Sequence, residues 1–497
     1  MNITLKRSMF FLVLFLNLIL FFSISGYAHS IPTDYCLDSI TVSDDNRNIF
    51  SLKSNDLHLN TSTTGYFNYP YAKTYFLFDS SERQFIKLNY SGPMSKLKIY
   101  NYYYYNSNDY LFYSSQISYD QDIIYCDAFQ IYVLEFESNT YNTGSFTLLP
   151  QKVTSTNLTT HEKYFMHIEY DTSSTFGYRY DVEYKNLDLN NTTSTTEFIN
   201  LDGGVTSYLD LISNTLNFGL SNDSRRLVSN PGELQYSAIA CANMSCQYVD
   251  SSNSVIYSSG GTGTFVDETT VLSCAHLFYN QIDNSADDHN GYTAIPRNAY
   301  FYPGANSYYN SSYWYQNYGM YDGTDTYLPI SYVLYDIPNI SNNNEAFTKR
   351  AGFDWSITLT ENVIEGTYTH SYMKMYHFTS NIHYQAQSAG YPALVNCPTN
   401  DIGKYDHTMW ASYPLFNTVN TSSVSNNVLT STDIISTPGN SGGPVYVYIT
   451  TVYNGQVLRF SSIMGILDAN NTNGSIFNYS YICRMRPVII NLYREVI

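Results

Sequence analysis

Three short stretches carry residue types suited to one chemistry. The first is Pro438-Gly439-Asn440-Ser441-Gly442-Gly443-Pro444, which runs into the apolar Val445-Tyr446-Val447. Nucleophilic acyl transfer needs a hydroxyl on a tight, glycine-rich turn. There it can reach a bound carbonyl while backbone N–H groups face the developing oxyanion. Ser441 is the candidate nucleophile, and the N–H groups of Gly439 and Ser441 are the candidate oxyanion donors. The second stretch is Thr269-Thr270-Val271-Leu272-Ser273-Cys274-Ala275-His276, an apolar strand that ends in small residues and a histidine. A neutral imidazole held at a cleft edge can take the serine proton and return it to a leaving group. The third is Phe353-Asp354-Trp355-Ser356-Ile357-Thr358-Leu359, a carboxylate at the start of an alternating strand. Placed beside the imidazole, it would fix the tautomer and balance the positive charge. Asp325 and Asp336 are rivals, and the position of Asp354 between His276 and Ser441 favours it.

Positioning such groups requires a rigid frame, and the composition points to strands. The chain has 53 Tyr, 17% aromatic and only 13% charged residues. Branched and ring side chains fit a half-buried pleated surface, so a mainly β protein is predicted. From Leu227 to the end there is room for two six-stranded barrels, with strand-like runs at 235–240, 263–266, 355–359, 445–451 and 457–467. Residues 29–150 read as a separate β-sandwich of short strands and Asn/Ser/Gly turns, its expected use being to bind protein or carbohydrate. The polar stretch 151–226 reads as linker, propeptide or extra strands, and Arg225-Arg226 as a processing site or two solvated arginines. In the N-terminal sandwich the tyrosine run 102–105 reads as strand surface or as a sugar-stacking platform.

Other features bear on compartment and partners. Lys6 and Arg7, the apolar run 9–22 and the small-x-small Gly26-Tyr27-Ala28 predict a secretory signal over residues 1–28. Asn-x-Ser/Thr acceptors, among them Asn60, Asn243 and Asn420, are consistent with a glycosylated, secreted product. No later run is apolar enough for stable membrane insertion. A net charge of −18 disfavours nucleic acid and anionic lipid as partners. The seven cysteines suggest disulfides, Cys36 with Cys126 and Cys241 with Cys246 being the pairs nearest to hand. No metal-finger spacing, phosphate loop or dinucleotide fingerprint is present, so no metal site and no cofactor are expected.

The chain order His276, Asp354, Ser441 opens a resemblance. From Leu227 onward the sequence resembles the glutamyl-endopeptidase branch of the trypsin/chymotrypsin-like serine proteases. The matching stretches, in order, are YSAI, GTGTFVDETTVLSCAHLFY, FYPGAN, FDWSITL, GYP, TMW and STPGNSGGPVY. The resemblance implies a double β-barrel of chymotrypsin type, a secreted endopeptidase working through an acyl-enzyme, and protein or peptide substrates. It also implies a specificity pocket around Ser436, Leu467 and Asp468. Leu467 stands where relatives that cut after glutamate carry a histidine, and leucine cannot donate that hydrogen bond, which argues against glutamate specificity. Asn440 stands where trypsin-like enzymes carry the aspartate that pairs with a freed N-terminus. The strand spacing of the N-terminal half faintly resembles a CUB-type sandwich. The competing expectation is a glycosylated binding or adhesion protein that keeps an inactive protease fold.

Overall fold

Apolar and polar residues alternate along most of the chain and produce strand after strand, with few and short helices. The computed structural model describes the chain from residue 40 to residue 497, apart from internal stretches of which the longest are 188–210, 213–224, 282–292 and 394–407. The expected signal segment 1–28, Cys36 and Asp336 lie outside the described residues. Among the described residues no helix is long and apolar enough to cross a membrane.

Two compact units divide the chain, one drawn mainly from residues up to Gln151 and the other from Lys152–Ile497 together with Phe85–Lys87 and Ser114–Tyr125. The first contains most of a seven-stranded and of a four-stranded sheet. Phe76 and Phe136, from the larger sheet, meet Phe146 of the smaller one with ring centroids 6.0 and 5.7 Å apart. Phe67 stacks on Phe146 at 4.6 Å. Alternation puts these rings on the inner faces, so two sheets pack on a shared aromatic layer as a sandwich does.

The second unit is built on two barrels. The first uses β1 (Ile239–Tyr248), β2 (Tyr257–Phe265), β3 (Thr270–Ser273), β4 (Thr293–Pro303), β5 (Met320–Pro329) and β6 (Ser356–Ile364). Antiparallel pairings run β1–β2–β3–β6–β5–β4 and return to β1, which closes the ring. The second barrel uses β7 (Tyr384–Gly390), β8 (Asn417–Thr421), β9 (Val428–Ser431), β10 (Pro444–Tyr453), β11 (Gln456–Asn473) and β12 (Ile476–Arg484). Its path is β7–β8–β9–β12–β11–β10. Only Gln387 and Ser388 of β7 pair with β10, so this barrel is half open. Together they form the predicted double barrel of chymotrypsin type. Its second core is small and aliphatic, with Val419, Leu429, Val445, Met464, Leu467 and Ile482 buried together.

The stretch 151–226 contributes to this unit. Tyr164–Tyr170 pairs with Tyr178–Tyr184 on one side and with β5 on the other, forming an outer hairpin on the first barrel. Arg226–Val228 pairs with Trp410–Ala411 next to β7. The pairing of Cys241 with Cys246 is corrected: both lie on β1, five residues apart. Five extended residues span roughly 16 Å, far beyond the ~4.4–6.8 Å Cα separation that a disulfide bridges.

Candidate active site

The register of the first barrel brings the histidine and the aspartate together. β3 pairs with β6 so that Ser273 faces Ser356. The chain leaves β3 through a single 3-10 turn, Ala275–Leu277, carrying His276, while Asp354 stands two residues before β6. An antiparallel pair places the end of one strand beside the start of the other, so residues 78 positions apart become neighbours. The frame is firm because Cys274 and Ala275 are fully buried and Trp355 packs against Phe165 with ring centroids 6.0 Å apart. Truncating a buried tryptophan of this kind costs about 3–5 kcal/mol, so the backbone beside Asp354 is set by the core.

Asp354 is 4% exposed and both of its oxygens are used. Oδ1 accepts the His276 backbone N–H at 2.9 Å, and Oδ2 lies 2.7 Å from His276 Nδ1. Burial works against the ionised carboxyl, but the His276 charge and hydrogen bond outweigh it and hold Asp354 below the usual carboxylate range. Burial would likewise depress the imidazole. The Asp354 charge, together with Cys274 and the hydrogen bonds of Asp354 and Asp468, outweighs burial and raises His276 well above its ordinary value, while 30% of the side chain stays open to solvent.

Ser441 reaches the same cleft from the turn before β10. Gly439 and Gly442 adopt φ of +89° and +87°, a backbone that glycine alone takes without strain. A Cβ on Gly442 would sit 1.9 Å from the Thr262 carbonyl oxygen. Thr262 on β2 ties this turn to the first barrel, its N–H donating to the Ser441 carbonyl and its hydroxyl to the Gly439 carbonyl, both at 2.8 Å. Within the turn the N–H groups of Asn440, Gly442 and Gly443 donate to Thr437, Leu467 and Asn440 carbonyls at 2.9 Å. Among the described residues, the N–H groups of Gly439 and Ser441 donate to no protein acceptor. Two donors left unused on a glycine turn are what an oxyanion site requires. Ser441 Oγ donates to the Asp468 carbonyl at 3.1 Å rather than to His276. Rotation about its χ1 bond must precede any proton transfer to the imidazole.

A cleft of about 380 Å³ is lined by His276, Asp354, Ser441, Ser436, Thr437 and Asp468. Of the three residues expected to shape a pocket, Ser436 and Asp468 are on its wall and Leu467 is not. Leu467 is corrected to a core residue of the second barrel. The physical reason is a bulge in β11, where Leu467 faces Ile482 and Ala469 faces Tyr481, leaving Asp468 as the extra residue. A bulge re-aims one side chain, and here it turns Asp468 inward. Asp468 is 6% exposed with Oδ1 3.6 Å from His276 Nδ1. Burial and the Asp354 charge both push its carboxyl well above the ordinary value. Cys274, His276, Asp354 and Asp468 bring four potential metal-ligand atoms within 4.8 Å of one another. Cys274 is a poor ligand there, because it donates its thiol to the Leu467 carbonyl at 3.2 Å and burial pushes that thiol above its ordinary range.

Arg225 also belongs to this site. It is 4% exposed, so the expectation of an accessible or solvated dibasic pair is corrected at this residue. Its Nη1 donates to Thr437 Oγ1 at 2.9 Å and to Asn440 Oδ1. Thr437 Oγ1 donates in turn to Asn440 Oδ1 at 3.1 Å. The guanidinium therefore clamps the residue that precedes Ser441, the position that the resemblance left without an acidic partner.

No protein-family model matches the chain, and no curated protein does. Among solved structures, a Glu endopeptidase in complex with MPD overlaps 56% of this chain and 99% of its own, at 19% identity and a TM-score of 0.34. The protease Anisep from Arthrobacter nicotinovorans overlaps 54% of this chain and 97% of its own, at 13% identity and a TM-score of 0.33. HL collagenase overlaps 54% of this chain and 95% of its own, at 13% identity and 0.32. Overlap this loose carries no weight for what the chain does.

Proposed function

We propose that this chain is a secreted serine endopeptidase that hydrolyses peptide bonds through an acyl-enzyme. The observation that carries the proposal is the His276–Asp354 pair at 2.7 Å, in one cleft with Ser441. Ser441 Oγ attacks the scissile carbonyl as His276 Nε2 takes its proton. Asp354 holds the Nδ1–H tautomer and balances the imidazolium. The oxyanion lies on the N–H groups of Gly439 and Ser441, and His276 returns the proton to the leaving amine. Water then repeats the sequence to release the acid. The test is digestion of an unfolded protein and of a peptide library, beside Ser441→Ala, with cleavage expected only from the wild type. The turn of Ser441 Oγ toward Asp468 favours a second reading, an inactive binding protein on the same fold. A folded wild type without hydrolysis on any peptide would support it.

Two further outcomes follow from the geometry. One imidazole and two buried carboxyls titrate together, so the apparent pKa belongs to the cluster. The base works only when neutral and its pKa is raised, so kcat/KM is expected to climb on the alkaline side of the ordinary histidine value of about 6.5. Asp468→Asn removes one acid from the cluster and is expected to move that limb to lower pH. A limb at or below the ordinary value in the wild type, or one unmoved by Asp468→Asn, contradicts this account. Arg225→Met releases Asn440 and Thr437 and is expected to reduce kcat about 10- to 100-fold, with KM little changed. An unaltered kcat in a folded variant would remove the clamp from the mechanism.

A further inference from the structure

On the outer hairpin, away from the cleft, strand alternation sends one set of side chains into the core and another to a polar face. Met166, Ile168, Tyr180 and Val182 are buried, while His167, Asp181 and Glu183 face the other way. The register sets His167 directly opposite Asp181 on one neighbour and opposite Tyr327 of β5 on the other. The imidazole lies flat on the Tyr327 ring, with centroids 4.4 Å apart and planes 4° from parallel, so its orientation is fixed.

The two ring nitrogens differ. Nε2 lies 2.8 Å from Asp325 Oδ1, an ordinary charge-assisted hydrogen-bond length. Nδ1 faces two carboxylate oxygens at longer range, Glu183 Oε1 at 3.1 Å and Asp181 Oδ1 at 3.3 Å. Ligands about 2.0–2.1 Å from a tetrahedral ion sit roughly 3.3 Å from one another, which is the spacing found here. A carboxylate on the far nitrogen is the arrangement that fixes the tautomer of a metal-binding histidine.

Charge leads to the same place. Asp181, Glu183 and Asp325 carry three negative charges, and Lys185 on Glu183 supplies one positive charge. A proton on His167 still leaves the group with one negative charge in excess. A divalent cation on neutral His167 balances it. The side chains are only 15–28% exposed, so water screens this excess incompletely.

We propose that His167 Nδ1, Asp181 and Glu183 bind a divalent transition-metal ion of the zinc class, with Asp325 orienting the histidine. One nitrogen and two carboxylate ligands leave the fourth position to water. Bound there, the ion ties the outer hairpin together beside β5. The site is independent of the proposed peptidase activity.

The test is equilibrium dialysis of the full chain against zinc chloride, followed by metal analysis and thermal melting. The His276→Ala variant is measured alongside, to separate this site from the cleft. One zinc per chain is expected in the wild type and in His276→Ala, with a rise in Tm in both. Asp181→Asn combined with Glu183→Gln keeps the side-chain shapes and is expected to lose both the zinc and the rise. Asp325→Asn leaves all three ligands in place and is expected to weaken binding about 10- to 100-fold, which keeps the test decisive if the double variant does not fold. A folded wild type without zinc, zinc retained in full by the ligand variants, or zinc lost in His276→Ala would each overturn the assignment.

Discussion

Ser441→Ala and His276→Ala are each expected to lower kcat for peptide hydrolysis on the order of 10⁶-fold, with both variants melting near the wild-type temperature. The first removes the proposed nucleophile and the second the proposed base. Ser441 is set on a turn whose shape comes from Gly439, Gly442 and the Thr262 contacts, none of which needs the hydroxyl. The protein should therefore stay folded while turnover fails. The double variant is expected to be no slower than either single one, because the pair acts as one unit. Residual catalysis of about 10³–10⁴ over water should survive on the oxyanion donors. Initial rates with a peptide substrate check this, and rates within tenfold of wild type would remove the nucleophile assignment.

Asp354→Asn is the second large effect, a fall in kcat on the order of 10⁴-fold. The geometry says why an isosteric change does so much. Asp354 Oδ1 accepts the His276 backbone N–H and Oδ2 faces Nδ1. An asparagine has one acceptor and one donor to offer at these places. Its oxygen satisfies the backbone N–H, which leaves its NH₂ facing Nδ1. The imidazole then carries its proton on Nε2, the nitrogen that must receive the serine proton. Substrate contacts are untouched, so KM should change little. Single-turnover rates against pH check this, and a variant within tenfold of wild type would mean that Asp354 is structural only.

The residues of this cleft were legible in the sequence where the signal was local. Ser441 stands in a glycine turn, His276 after a buried strand and Asp354 before one, and each pattern has a backbone cause within a few residues. The β3–β6 register then joins two of them, as the double barrel requires. Of the expected specificity wall, Ser436 and Asp468 line the cleft and Leu467 does not, because the bulge at Asp468 leaves little trace in an alternating sequence. Arg225 read as part of a dibasic processing site because its partners, Thr437 and Asn440, lie more than 200 positions away. The His167 cluster was hidden because its members come from three strands, and Asp325 lies 158 positions from His167. In the other direction, Cys241 and Cys246 are close in sequence, and a single extended strand keeps them apart.

The most direct measurement is labelling of the purified full-length protein with a fluorophosphonate, followed by peptide mapping. One adduct on Ser441, absent from His276→Ala and suppressed as pH falls below the range where His276 is neutral, is the expected result. A folded protein that takes no label at any pH up to the alkaline limit of its stability, or takes it on a different residue, would contradict an activated Ser441.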